Sequence, residues 1–86
     1  MGAAAVDERG IYVSTDLERP TKRAMRDMAS RVLLLVDHTK FQASAPVLLC
    51  SFAEIDVLVT DRRPPAAVAT ALREAGVEVV LPAARE

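Results

Sequence analysis

Four consecutive residues, Asp37, His38, Thr39 and Lys40, interrupt the apolar run "VLLLV". Together they offer a carboxylate, an imidazole, a hydroxyl and an ammonium group within one turn. Such a set can hold a phosphorylated sugar: the lysine attracts the phosphate or a ring oxygen, and the aspartate accepts hydrogen bonds from hydroxyls. A second aspartate, Asp61, closes the run "DVLVT" in the same way and is followed by Arg62 and Arg63. Two guanidinium groups beside a strand end suit a phosphate as well. Each residue also has a plainer role open to it. An aspartate at a strand end caps the following turn. Lys40 and the arginine pair can simply be solvated, Thr39 can serve the turn, and His38 has no partner visible in sequence that would make it a general base.

The order of elements decides whether these residues share a rim. Residues 32–36 form a continuous apolar run with branched side chains, bounded by a helix end and a charged turn, and read as a buried strand. Strands at residues 56–60 and 77–81 flank a helix at residues 65–75, with Pro65 at its start and Gly76 past its end. That is one βαβ unit. A weaker strand is expected at residues 46–50, where Pro46 suits a strand start or a sheet edge.

A further helix is expected at residues 17–30. Asp16 can cap it, Pro20 lies in its first turn, and Leu17, Thr21, Ala24, Met25 and Met28 recur at helical spacing. Glu18, Lys22 and Arg23 then form a solvated face, with Glu18 paired to Lys22. Residues 1–16 read as loop with a short strand at residues 11–13, and the tail "AARE" as frayed.

The fold class is therefore α/β: part of an open, mostly parallel Rossmann-like sheet, its strands apolar on both faces as parallel strands covered by helices are. Ligands of such sheets bind beyond the carboxyl ends of the strands, where Asp37, Lys40 and Asp61 fall. Three or four strands leave an unpaired edge, so a larger domain or a homo-oligomer is expected.

Bulk properties narrow the function. Eighty-six residues make at most one small domain with a modest core. A formal net charge of -1 argues against a chain that grips nucleic acid by itself. The single cysteine, Cys50 in "VLLCSF", permits no internal disulfide and reads as a small buried hydrophobe. With one histidine and one cysteine there is no metal-ligand cluster, and no catalytic order or phosphate-cradling glycine loop stands out. Neither catalytic residues, a metal nor a cofactor is expected. No apolar run approaches the roughly 20 residues that span a bilayer, and "MGAAAVDERG" is not a secretory signal. No membrane partner is expected, and the cytoplasm is the default.

Four stretches in register, "ERPTKRAM", "RVLLLVDHTKF", "EIDVLVTD" and "PPAAVATALREAGVEVVL", resemble the C-terminal sensor domain of DeoR/GlpR-family transcriptional regulators across residues 2–81. The family pattern is a Glu-x-x-x-Lys-Arg-Ala-Met helix, an Asp-x-Ser-Lys-Phe turn after an apolar strand, an Ile-Asp-x-x-Ile-Thr-Asp strand, then a helix and a Gly-Val-Glu-Val strand. Thr39 stands for the family serine and keeps its hydroxyl. Gln42 stands for a glycine, and residues 2–5 (Gly-Ala-Ala-Ala) for a Gly-Ala-Asn-Gly loop at the ligand rim.

The resemblance implies a fold similar to ribose-5-phosphate isomerase and glucosamine-6-phosphate deaminase. It also implies a sensor that binds a sugar phosphate or related metabolite and so loosens an N-terminal helix-turn-helix from its operator. Its effector-site acid and lysine fall on Asp37 and Lys40. On this basis residues 1–86 are expected to be the partial, C-terminal effector-sensing domain of a DeoR-like regulator of carbohydrate metabolism, its last third, with no DNA-binding domain and no direct nucleic-acid contact. Effector contacts are expected at Asp37, Thr39, Lys40 and Asp61. The alternative is a truncated remnant that acts only in oligomerisation or has no independent role. A sugar-phosphate isomerase or deaminase is disfavoured, since no second acid is placed to act as base.

Overall fold

The computed structural model describes residues 1–16 and 18–82, Glu18 by its backbone alone. The elements in chain order are β1 (Ala5–Asp7), β2 (Gly10–Val13), α1 (Glu18–Met28), β3 (Leu33–Leu35), a 3-10 turn (His38–Phe41), β4 (Val47–Cys50), a second 3-10 turn (Phe52–Glu54), β5 (Val57–Val59), α2 (Ala66–Glu74) and β6 (Glu78–Val80).

The expected βαβ unit is present as β5–α2–β6, with β3 as a further parallel neighbour in the order β3-β5-β6. Leu33, Val57 and Glu78 stand in register, as do Leu34, Leu58 and Val79, and Leu35, Val59 and Val80. Asp56 ties the entrances of two strands together: its carboxylate accepts from Val32 N at 2.7 Å, and its own N–H donates to Val32 O at 2.9 Å. Helix α2 buries Val68 and Leu72, one turn apart, and starts after Pro65. It stops because Gly76 takes φ +78°. Val77 N then reaches Leu72 O at 3.0 Å and Gly76 N reaches Arg73 O at 3.1 Å, the paired closure of a Schellman end.

The single open sheet expected from sequence is corrected to two sheets. Strand β4, expected beside the parallel strands, pairs antiparallel with β2 instead, and the second sheet runs β1-β2-β4. Residues 5–7, read as loop, form its outer strand. Alanine carries little strand preference, so the ladder of β2 makes Ala5 a strand residue rather than its own side chain. The hairpin between them is local chemistry: Asp7 Oδ1 accepts from Arg9 N at 2.8 Å, an Asx turn. Gly10 follows at φ +142°, where a β-carbon would run into the Cys50 carbonyl.

The parallel strands are covered mainly on one face; on the other, Val57 of the central strand is buried but its neighbours are not. Leu34 and Leu58 are fully buried in a cluster with Val6, Ile11 and Val13 of the antiparallel sheet and with Val68 and Leu72 of α2. On the other face Leu33 is 42%, Leu35 55% and Val80 37% exposed. The apolar pattern of these strands asks for two covering layers, and one helix with one small sheet covers mainly a single face.

Helix α1 is turned the opposite way from expectation. Met25 and Met28 are 58% and 87% exposed, while Lys22, Arg23 and Arg26 are half-buried. The basic residues hold it down. Arg23 Nη1 donates to Glu54 Oε1 at 2.6 Å, Lys22 Nζ to Gly2 O at 3.0 Å and Arg19 Nη2 to Leu48 O at 2.9 Å. The segment "ERPTKRAMRDM" has few large apolar side chains, so charge pairing and the long apolar stems of its arginines decide its orientation. Asp16 O accepts from Arg19 N at 3.3 Å. Leu17, the Glu18–Lys22 pairing and the tail at residues 83–86 lie outside the described residues.

Candidate functional site

Because β3 and β5 are parallel neighbours, their carboxyl ends open side by side. The ladder runs one residue past them, with Val36 N donating to Val59 O at 3.0 Å and Thr60 N to Val80 O at 3.1 Å. Beyond it the chain turns at Asp37. This residue is extended at φ -88° and ψ 170°, and its Oδ1 accepts from Thr39 N at 2.9 Å and from the Thr39 hydroxyl. These bonds hold the Asp37 carboxyl below the usual carboxylate range, helped by the nearby Lys40 charge.

Asp61 reaches across from the mouth of β5. Its Oδ1 accepts from His38 N at 2.7 Å, and its Oδ2 stands 2.8 Å from His38 Nδ1. The ring's hydrogen bond is the main reason that Asp61, too, stays below the ordinary carboxylate range. The two aspartates that the sequence puts at strand ends are therefore both bound to one short turn. Lys40 N donates to Asp37 O at 3.1 Å, and Gln42 N to Thr39 O at 3.2 Å, closing that turn. The half-buried Lys40 side chain makes no ion pair or hydrogen bond among the described residues.

Beside this turn lies an open hollow of about 420 Å³, lined by Leu35, Val36, Asp37, Val59, Thr60 and Asp61, with Pro82 at its margin. Thr60 is 4% exposed, and its buried hydroxyl finds no hydrogen-bond partner. The first residues run along the outer edge of β3: Met1 N donates to Leu33 O at 3.0 Å, and Leu35 N to Met1 O at 2.8 Å. Strand β1 then packs against the turn at His38–Phe41. Residues 2–5 are thus led alongside the mouth.

Arg62 and Arg63 are exposed and pair with neither aspartate. Arg63 lines a different hollow, of about 470 Å³, with Arg73, Val77 and Val79. Cys50 is buried, and burial pushes its thiol up and out of the reactive range. Among the described residues no cluster of three metal-ligating side chains forms, and no helix is long and apolar enough to cross a membrane. The His38–Asp61 pair was missed in sequence. Its residues stand 23 positions apart, and the one available signal was that each follows a parallel strand.

The family model of the DeoR C terminal sensor domain matches residues 1–62. The HTH-type transcriptional repressor CsqR of Escherichia coli (strain K12) is 35% identical over 79 residues, which is 91% of this chain and 30% of that protein. The HTH-type transcriptional repressor GlcR of Bacillus subtilis (strain 168) is 32% identical over 81 residues, 94% of this chain and 31% of that protein. The glycerol-3-phosphate regulon repressor of Escherichia coli (strain K12) is 33% identical over 82 residues, 94% of this chain and 32% of that protein. The chain spans about a third of the length of these relatives.

Proposed function

This chain belongs to the DeoR C-terminal sensor domain family, a family of transcriptional regulators and not of enzymes, and from that premise we propose how it senses. The rim at Asp37, Thr39, Lys40 and Asp61 takes a sugar phosphate or a related phosphorylated metabolite, in the cytoplasm, as the effector portion of a regulator of carbohydrate metabolism. The observation that carries this is Lys40: a half-buried lysine at the mouth of a parallel sheet whose ammonium group makes no hydrogen bond or ion pair among the described residues and has only the nearby Asp37 charge beside it. Such a group attracts a phosphate. That a relative is named for the glycerol-3-phosphate regulon supports a phosphorylated ligand.

The parallel β3-β5-β6 sheet supports a Rossmann-like fold related to the sugar-phosphate isomerases and deaminases. With a net charge of -1, DNA contact belongs to a helix-turn-helix outside these residues. The exposed face of Leu33, Leu35 and Val80, together with Met25 and Met28, supports packing against further sensor polypeptide or a second copy. The same face favours the second reading, a remnant that acts only in oligomerisation.

Ligand-induced stabilisation separates the two. A ligand at a hundred times its dissociation constant adds about 2.7 kcal/mol. In a domain of this size that raises the melting temperature by roughly 10 °C or more. The expected outcome is such a rise with glycerol 3-phosphate, ribose 5-phosphate or glucosamine 6-phosphate, lost in Lys40→Ala. No rise with any of them, or a rise untouched by Lys40→Ala, refutes the effector site.

A further inference from the structure

We propose that His38 is itself an effector contact, presenting ring Nε2 to the ligand's phosphate, and that Asp61 orients this ring. The inference rests on the effector site just described and assigns its two least obvious members.

Both oxygens of Asp61 are engaged by His38, one by the backbone N–H at 2.7 Å and one by ring Nδ1 at 2.8 Å. An ionised carboxylate only accepts hydrogen bonds, so the proton of the neutral ring sits on Nδ1. Nε2, on the far edge of the ring, is then a bare nitrogen turned away from Asp61. It has no hydrogen-bond partner among the described residues, and the His38 side chain is 34% exposed.

The ring is not needed merely to fasten the turn to β5, because the backbone bond from His38 to Asp61 does that with any side chain. What the second bond adds is a fixed tautomer and a fixed direction for the other nitrogen. Two residues on, Lys40 supplies a cation that makes no hydrogen bond or ion pair among the described residues. Once Nε2 carries a proton, an imidazolium and an ammonium on one turn form a donor pair suited to a phosphate.

The charged groups on the elements about the ring are Asp37 and Lys40 of its own turn, Asp61 and Arg62 after β5, and Asp7 on the strand packed against the turn. A phosphate arriving at Nε2 adds negative charge opposite Asp61. The ring then holds a proton on each nitrogen, one facing Asp61 and one facing the ligand.

His38 is the single histidine of the chain, so nitrogen NMR of the full chain reads this ring without assignment. The probes are inorganic phosphate and glycerol 3-phosphate at about pH 7.5, above the ordinary histidine range. Without ligand, Nδ1 carries the proton and Nε2 is bare. Saturating probe moves the Nε2 signal toward its protonated position. His38→Ala weakens probe binding about tenfold or more, the usual loss of a hydrogen bond to a charged group. Asp61→Asn, whose amide donates where the carboxylate accepted, shifts the proton to Nε2 in the free protein. Should that variant not fold, the wild-type ring signals decide.

A free ring protonated on Nε2 alone overturns the proposal. So does binding that needs Lys40 yet leaves the ring signals unmoved and survives His38→Ala, an outcome that keeps the effector site and removes only His38 from it. Failure of every probe to bind removes both.

Discussion

Replacing Glu54 by alanine should release α1 from the body of the domain. The Glu54 carboxylate receives Arg23 Nη1 at 2.6 Å, and Arg26 Nε lies 3.6 Å from the same oxygen. The buried Arg26 Nε has no hydrogen-bond partner of its own. The Glu54 and Arg23 side chains are 28% and 41% exposed, so the pair sits between two limits. A solvated pair contributes about 0–1 kcal/mol, and removing one partner of a buried pair costs about 3–5 kcal/mol. A charge-assisted bond of about 1.5–3 kcal/mol, partly screened, gives an expected loss of about 1.5–2.5 kcal/mol. In a domain of this size that is a fall of roughly 10 °C in melting temperature.

Thermal and urea unfolding measure the loss, and hydrogen exchange locates it, because α1 amides should lose protection before those of β5. Glu54→Gln, which keeps an acceptor without the charge, should lose about half as much. Added salt should narrow the gap between wild type and variant. A loss under about 0.5 kcal/mol, within the range of ordinary surface substitutions, with α1 protection unchanged, would refute the claim that this helix is held by its basic face.

Acid should destabilise the fold through Asp37 and Asp61, both held below the ordinary value of 3.8. Groups so depressed bind fewer protons folded than unfolded, so their stabilisation is present above 3.8 and is lost as the pH falls below it. Melting curves from neutral pH downward should show the decline, and Asp61→Asn should flatten it. Gly10→Ala should be far worse than Gly76→Ala. A β-carbon at Gly10 would lie 2.3 Å from the Cys50 carbonyl oxygen at φ +142°, whereas one at Gly76 meets nothing within 4 Å. Unfolding free energies should differ by about 2 kcal/mol or more, Gly76→Ala bearing only the roughly 1–2 kcal/mol of a left-handed residue. Leu35→Asp, on the uncovered sheet face, should leave the monomer's melting temperature nearly unchanged and reduce self-association in sedimentation. A variant that associates as the wild type does would show that this face is not the contact.

The types of most elements were legible because short-range physics sets them. The run at residues 32–36 holds β3, the Pro65 and Gly76 punctuation frames α2, and both Asp37 and Asp61 stand just past the mouths of parallel strands as the patterning indicates. The family, too, was written in four local stretches, and the match over residues 1–62 supports it.

Partner choice was not legible. Nothing in "VLLC" says that β4 joins β2 rather than β3, because either sheet satisfies its backbone and buries its apolar side chains. Methionines at helical spacing in α1 look like a core face, yet Arg23 and Arg26 found an acid in Glu54, remote in sequence, and turned the helix over. His38 and Asp61 became one unit only when parallel pairing brought two strand ends side by side. Periodicity and capping are decided by neighbours a few residues away. Which faces are covered, and which charges meet, depends on contacts between distant segments that exist only once the chain has folded.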